Sequence, residues 1–436
     1  MRAPSRARGR IVVIMAALAL ALVVGACGSA AAPSGAGGGA AGATGSGRVR
    51  HVPAQFPTIQ AAVDKAGEGD LVLIAPGTYY EAVKIKTNRL VLRGEDRNTV
   101  VLDGEFKKLN GITVQADGVA VENLTVRSYT NNGVFFTGVK DDIVGPDIVY
   151  GVGDKVVKGY RVSYVSAANN GLYGIYAFAS RGGLIEHAYA SGNPDSGLYI
   201  GQCKPCDATV TDSIAENNAV GYEGTNASGN VFVVRSVFRG NRIGITPNSQ
   251  KLEKLAPQES ATFAGNLVVD GNHPNTPEQG GGGWGIGIAV GGGVTNVITK
   301  NRVSGNPVAG ILVTELKEYL PKGNRVEGNV VSGNGTDLVY AFTGTSDGAT
   351  NCFSGNTFGS SLPDGIERVL ACGAPPAPLP ASTFAAPNAP RGISYRDMPA
   401  PPAQPGMADP LTAPARPAVG IVPAVDLAAI TVPAAP

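Results

Sequence analysis

The chain has 436 residues, 35 Lys+Arg against 34 Asp+Glu, a formal net charge of +1 and no basic block, so it offers nucleic acid no electrostatic footprint. Glycine reaches 61 residues without a collagen triplet, which points to many turns or to a repeat. Copper handling lacks a ligand set, because the histidines are only His51, His187 and His273 and the downstream methionines are Met398 and Met407.

At the N terminus, Arg2, Arg6, Arg8 and Arg10 precede an apolar run from Ile11 to Val24. That run is shorter than the roughly 20 residues a spanning helix needs. It ends in Val24-Gly25-Ala26-Cys27 and resembles a bacterial lipoprotein signal. The resemblance implies removal of residues 1–26, lipidation of the Cys27 thiol and an extracytoplasmic protein anchored to the bacterial cell membrane. Residues 27–48 then read as a Gly/Ala-rich flexible tether, 49–373 as the folded body and 374–436 as a Pro/Ala-rich tail that leans to polyproline II. The stretch "AVGIVPAVDLAAITVP" near the end is apolar enough to dock on the body or to stay apart from it, and both readings stay open.

The body opens with a helical pattern. Thr58 is read as an N-cap, with Ile59, Ala62, Val63 and Ala66 as an apolar stripe, Gly67 and Gly69 as the stop, and Leu71 to Ala75 as the first strand. Glycines then recur in similar surroundings at Gly133, Gly174, Gly197, Gly221, Gly244, Gly287 and Gly310. Four of the gaps are 23–24 residues, and the two longer ones accommodate inserts. Asn132, Asn170, Asn193, Asn218, Asn241 and Asn306 stand shortly before most of these glycines, each after a β-rich run.

Every unit therefore reads as strand, Asn turn, strand. Asn tolerates the left-handed conformation of such turns, and its amide ladders from coil to coil at about 4.8 Å. One coil cannot bury its apolar face, whereas a stack encloses a core, so the expected fold is an all-β, single-domain parallel β-helix with an N-terminal capping helix. The opening "TIQAAVDKA" with "PGTYYEAV" and the Asn-rich coils resembles the pectin-lyase-like right-handed parallel β-helix proteins, over roughly residues 49–372.

That resemblance implies a polysaccharide or cell-wall partner and a choice of chemistries, each with its own signature. The methylesterase segments are missing, with Asp141 to Gly145 only a faint echo. Asn193-Pro194-Asp195 matches the first polygalacturonase element, but Gly-His-Gly and Arg-Ile-Lys are missing, as is the epimerases' Asp-Pro-His. Strand spacing puts Asp195 and Glu223 roughly 14 Å apart at Cα, too far for a glycosidase pair. Asp195, Asp207, Asp212 and Arg242 are available to a lyase, but no acidic cluster marks a site. No metal or other cofactor is expected; Ca²⁺ enters only if the protein is a lyase, and whether it is catalytic stays open.

The two-residue period of a strand orders the glycine segments further. If Val134, Ile175, Leu198, Ile245, Ile288 and Ile311 point inward, Phe135, Tyr176, Tyr199 and Glu223 line the outside. Phe135, Tyr176, Tyr199, Glu223 and the lone Trp284 are the candidate ligand-binding residues, as a sugar-stacking groove or, alternatively, as an aromatic ladder and core-edge residue under an insert or the tail. Sequence separation favours disulfides Cys203–Cys206 and Cys352–Cys372. The leading expectation is an envelope-anchored β-helix that binds a polysaccharide along its outer flank. The alternative is a non-catalytic scaffold that contacts protein or cell wall through inserts such as "NSQKLEKLAPQES".

Overall fold

The computed structural model describes residues 47–138, 155–251, 254–271, 273, 275–277, 283–343, 350–375, 379, 381–385, 387–420 and 422–436. Cys27 and Asp141 to Gly145 lie outside these residues. Among the described residues, thirty-three strands form three parallel sheets of 12, 11 and 10 strands, each inner strand pairing with its equivalents one coil before and one coil after. Each full coil thus contributes three strands, not two, because a short strand just before the Asn-bearing corner forms its own ladder, as Ser166–Ala168, Tyr189–Ser191 and Ile214–Glu216 do.

The period-two reading holds in the 11-stranded sheet. Val134, Ile175, Leu198, Ile245, Ile288 and Ile311 are fully buried in one continuous core that runs the length of the stack. Asn170, Asn193, Asn218 and Asn241 form the expected ladder: each amide of the first three donates to the next carboxamide oxygen at 2.8–3.3 Å, and each of their backbone N–H groups donates to the same oxygen. The repeated glycines follow from that ladder. A Cβ on Gly174 would sit 2.6 Å from the Gly197 carbonyl and 3.0 Å from Asn193 Nδ2, so only glycine lets the coils close over the amides. Two more columns, Asn266–Asn301–Asn329–Asn356 and Asn296–Asn324–Asn351, do the same at the other corners of the later coils.

Both ends of the core are covered. The helix Ile59–Lys65 is capped by Thr58, whose side chain accepts from Ala61 N, and Ile59, Ala62 and Val63 lie over the first coil. The Glu81 carboxylate accepts from the N–H groups of Ile59 and Gln60, which satisfies donors of the first turn. At the other end, Cys352–Cys372 ties the last long-sheet strand, Cys352–Ser354, to the turn after the short helix Ile366–Val369. Cys203–Cys206 is also formed, so both expected pairings are found.

The C-terminal segment docks on the body. It runs from Ser382, paired with Phe342 near the last coil, back to Arg93, Arg97 and Asn123 near the first. It then reverses, with Leu427 against Lys300 and Pro433 against Arg302. Met398, Ala418 and Ile430 are buried by this packing.

Candidate functional site

Strand register puts Phe135, Tyr176, Tyr199 and Glu223 side by side on consecutive rungs of the 11-stranded sheet, on the face opposite the core. Phe135 and Tyr176 stack with ring centroids 4.7 Å apart and planes 5° from parallel. Tyr199 meets Tyr176 edge-on at 4.8 Å. Tyr173, in the turn before the strand Ile175–Phe178, closes the group at 4.4 Å from Tyr176 and 4.8 Å from Tyr199. The sequence reading missed Tyr173; its signal was the three-residue spacing to Tyr176 across a turn, which returns both rings to one side of the strand.

Exposure divides this row. Phe135, Tyr173 and Tyr176 are half-buried, whereas Tyr199 is 2% exposed and Glu223 7%. An open groove over all four residues is therefore not what the structure contains. Rings from neighbouring rungs enclose Tyr199, and the Glu223 carboxylate turns into its own hydrogen bonds.

Those bonds correct the separation expected for the two carboxylates. Glu223 Oε2 accepts from Ser196 Oγ at 2.7 Å, and the same hydroxyl lies 3.3 Å from Asp195 Oδ1. Both acids thus share one hydroxyl, so their nearest oxygens lie no more than about 6 Å apart, far closer than the strand count gives. Counting strand steps between Cα atoms missed this because the register is regular, with Ser196, Leu198 and Tyr199 opposite Val220, Tyr222 and Glu223, and the approach is made by the long Glu223 side chain. Thr225 Oγ1 and Asn248 Nδ2 donate to its other oxygen, at 2.9 and 3.1 Å.

Trp284 stands apart from this cluster. Its indole Nε1–H donates to the Pro387 carbonyl, and its ring packs on the apolar downstream part of the same outer face together with Phe384 and Leu362. Leu312 and Val339 beneath are buried. The core-edge reading of Trp284 is the one the geometry matches, and the C-terminal segment provides the cover. The surface left partly open on this face is the aromatic step at Phe135, Tyr173 and Tyr176, flanked by Asp195, Ser196 and Glu223.

A groove of about 680 Å³ between the corner at Gly118, Gly159 and Gly182 and the residues Ala418, Val419, Gly420 and Val422 carries Arg89, Lys158 and Arg181 against Glu68, Asp117 and Asp207, with no aromatic surface. Among the described residues, Glu327, Cys352 and Cys372 are close enough to share a metal ion, but both sulfurs are in a disulfide and offer no thiolate.

A family model described as right handed beta helix region matches residues 148–326. No curated protein matches the chain. Among solved structures, the mannuronan C-5 epimerase AlgE6 A-module of Azotobacter vinelandii is 17% identical with a TM-score of 0.48, covering 73% of this chain and 95% of its own. The AlgE4 A-module of the same organism is 15% identical with a TM-score of 0.47, covering 70% and 91%. The Dettilon tailspike protein is 12% identical with a TM-score of 0.47, covering 72% and 62%. The three parallel sheets and the matching family model agree on a right-handed parallel β-helix.

Proposed function

We propose that this protein binds a polysaccharide on the outer face of its 11-stranded sheet, seated on Phe135, Tyr173 and Tyr176. The stacked pair Phe135–Tyr176 on neighbouring rungs carries the reading. Flat, half-buried rings at coil spacing give pyranose faces an apolar seat, and the partly exposed Asp195 carboxylate gives hydroxyls an acceptor at one end. The lipoprotein reading of Val24 to Cys27 adds an address: an envelope protein held to the membrane through Cys27, with the β-helix presented outside.

A second reading rests on the shared hydroxyl of Ser196. Two carboxylates that close, next to a sugar seat, suit hydrolysis: one acid protonates the leaving glycosidic oxygen while the other attacks, or activates a water at, the anomeric carbon.

The test is a polysaccharide array probed with the purified protein, with hits incubated and assayed for new reducing ends. The binding reading expects hits that Tyr176→Ala loses, and the hydrolytic reading adds reducing ends that Glu223→Gln abolishes. An array without hits removes both and favours the scaffold alternative. Cys27→Ser is expected to move the protein from the membrane fraction to the soluble fraction; retention in the membrane would contradict the anchor.

A further inference from the structure

A proline-rich chain is a poor partner for itself. Proline has no backbone N–H, and an extended chain forms no internal hydrogen bonds, so its carbonyls need donors from elsewhere. Here the body supplies them from side chains. Trp284 Nε1 donates to Pro387 O at 2.8 Å and Arg242 Nη2 to Pro390 O at 2.7 Å. Asn169 Nδ2 donates to Met398 O at 2.7 Å and Arg97 Nη1 to Pro405 O at 2.8 Å. Arg93 donates to Pro410, Ala413 and Pro414 at 2.6–3.1 Å. The donors lie along the stack in the reverse of chain order, so the segment is read carbonyl by carbonyl as it passes.

The arginines carry most weight. Arg93 is 0% and Arg97 2% exposed. Arg93 pairs with Glu122, whereas Arg97 bonds only neutral groups, Ser166 Oγ and the carbonyls of Val165 and Pro405. A buried guanidinium has five N–H groups to satisfy, and at both sites the body alone leaves some of them without an acceptor. Backbone pairing between segment and body is sparse by comparison: Ser382 with Phe342, Ile393 N to Thr276 O and Ala418 N to Gly118 O. Side-chain donors aimed at the carbonyls of an extended chain are how a receptor holds a proline-rich ligand.

We propose that this flank of the β-helix is a recognition groove for a proline-rich polypeptide of extended stretches joined by turns, that residues 387–418 are its resident ligand, and that it accepts the same segment from a second copy of the chain. Recognition is of backbone carbonyls, spaced by extended chain where Asn169 and Arg97 bind and gathered on Arg93 by the turn that Thr412 N and Ala413 N close on Asp409 O. The body requires an occupant with few backbone donors rather than a particular side-chain sequence.

The experiment starts from the full chain with a specific protease site placed between Pro375 and Leu379, cleaved after folding. A fluorescent peptide of residues 381–436 is then added in excess, and anisotropy and native mass spectrometry follow the exchange. The expected result is a body that keeps its circular dichroism, releases its own segment and binds the peptide at micromolar concentration. Asn98→Ala removes a reciprocal bond to Gln404, and Trp284→Phe keeps an aromatic ring, smaller than the indole, but loses the N–H; each is expected to weaken the peptide about fivefold to tenfold. Arg97→Ala is expected to weaken it further. Three results would overturn the proposal: a body that unfolds on cleavage, a segment that never exchanges, or variants that bind as the parent does.

Discussion

Asn193→Ala tests the amide ladder at a central rung. Asn193 is fully buried; its Nδ2 donates to Asn218 Oδ1, Ser191 O and, at 3.5 Å, Ala167 O, and its Oδ1 accepts from both Asn170 N and Asn170 Nδ2. Alanine removes all five bonds and leaves two buried Asn170 donors without an acceptor. With net bonds near 1 kcal/mol and buried unsatisfied groups at 1–3 kcal/mol, the cost is about 4 kcal/mol. At a urea slope of about 3 kcal/mol/M the unfolding midpoint falls by about 1 M. Asn275→Ala, on an exposed residue, is the control and is expected to leave the midpoint unmoved. A loss at Asn193 below about 1 kcal/mol with an unchanged slope would refute the ladder as a main stabiliser of the stack.

Further expectations concern the ends and the docked segment. Replacing Cys352 and Cys372 by serine opens a loop of 20 residues and is expected to cost about 3 kcal/mol, seen as a lower urea midpoint, with a smaller loss for Cys203 and Cys206, three residues apart. Burial pushes the Asp70 carboxyl up, but N–H donors from Gly67 and Arg48 and the Arg50 guanidinium outweigh it and hold its pKa below 3.8. A lowered folded value means a contribution fully present above the unfolded pKa and lost as pH falls through the folded one. Thermal unfolding from pH 5 to pH 2.5 is therefore expected to show a decline at the acid end that is shallower in Asp70→Asn. A Cβ on Gly159 would lie 2.0 Å from the Ala418 carbonyl, so Gly159→Ala is expected to speed amide exchange around Ala418 while core strands keep their protection.

Much of the fold was legible because its constraints are local and repeated. The glycine column, the amides before it and the alternation of Val134 with Phe135, or Ile175 with Tyr176, each reflect one coil's relation to the next, and the stack multiplies the signal. The helix over the first coil was legible from Thr58 and its apolar stripe. The docked segment left its course undecided for a physical reason. Its bonds are backbone carbonyls, which every residue has, and their donors Arg93, Arg97 and Arg242 look in sequence like isolated surface charges. The Asp195–Glu223 approach was hidden because it is made by a long side chain and a serine hydroxyl whose role only geometry reveals.

The central claim is that the Phe135–Tyr176 step is a sugar seat. Isothermal titration of the purified protein with the polysaccharide that binds it best, repeated with Phe135→Ala and Tyr176→Ala, tests this most directly, with Arg325→Ala on the 12-stranded sheet as control. The account predicts a loss of about tenfold or more for each ring and none for the control, as removal of a central aromatic contact gives. Equal affinity in all four proteins would contradict it and place the binding surface elsewhere on the β-helix.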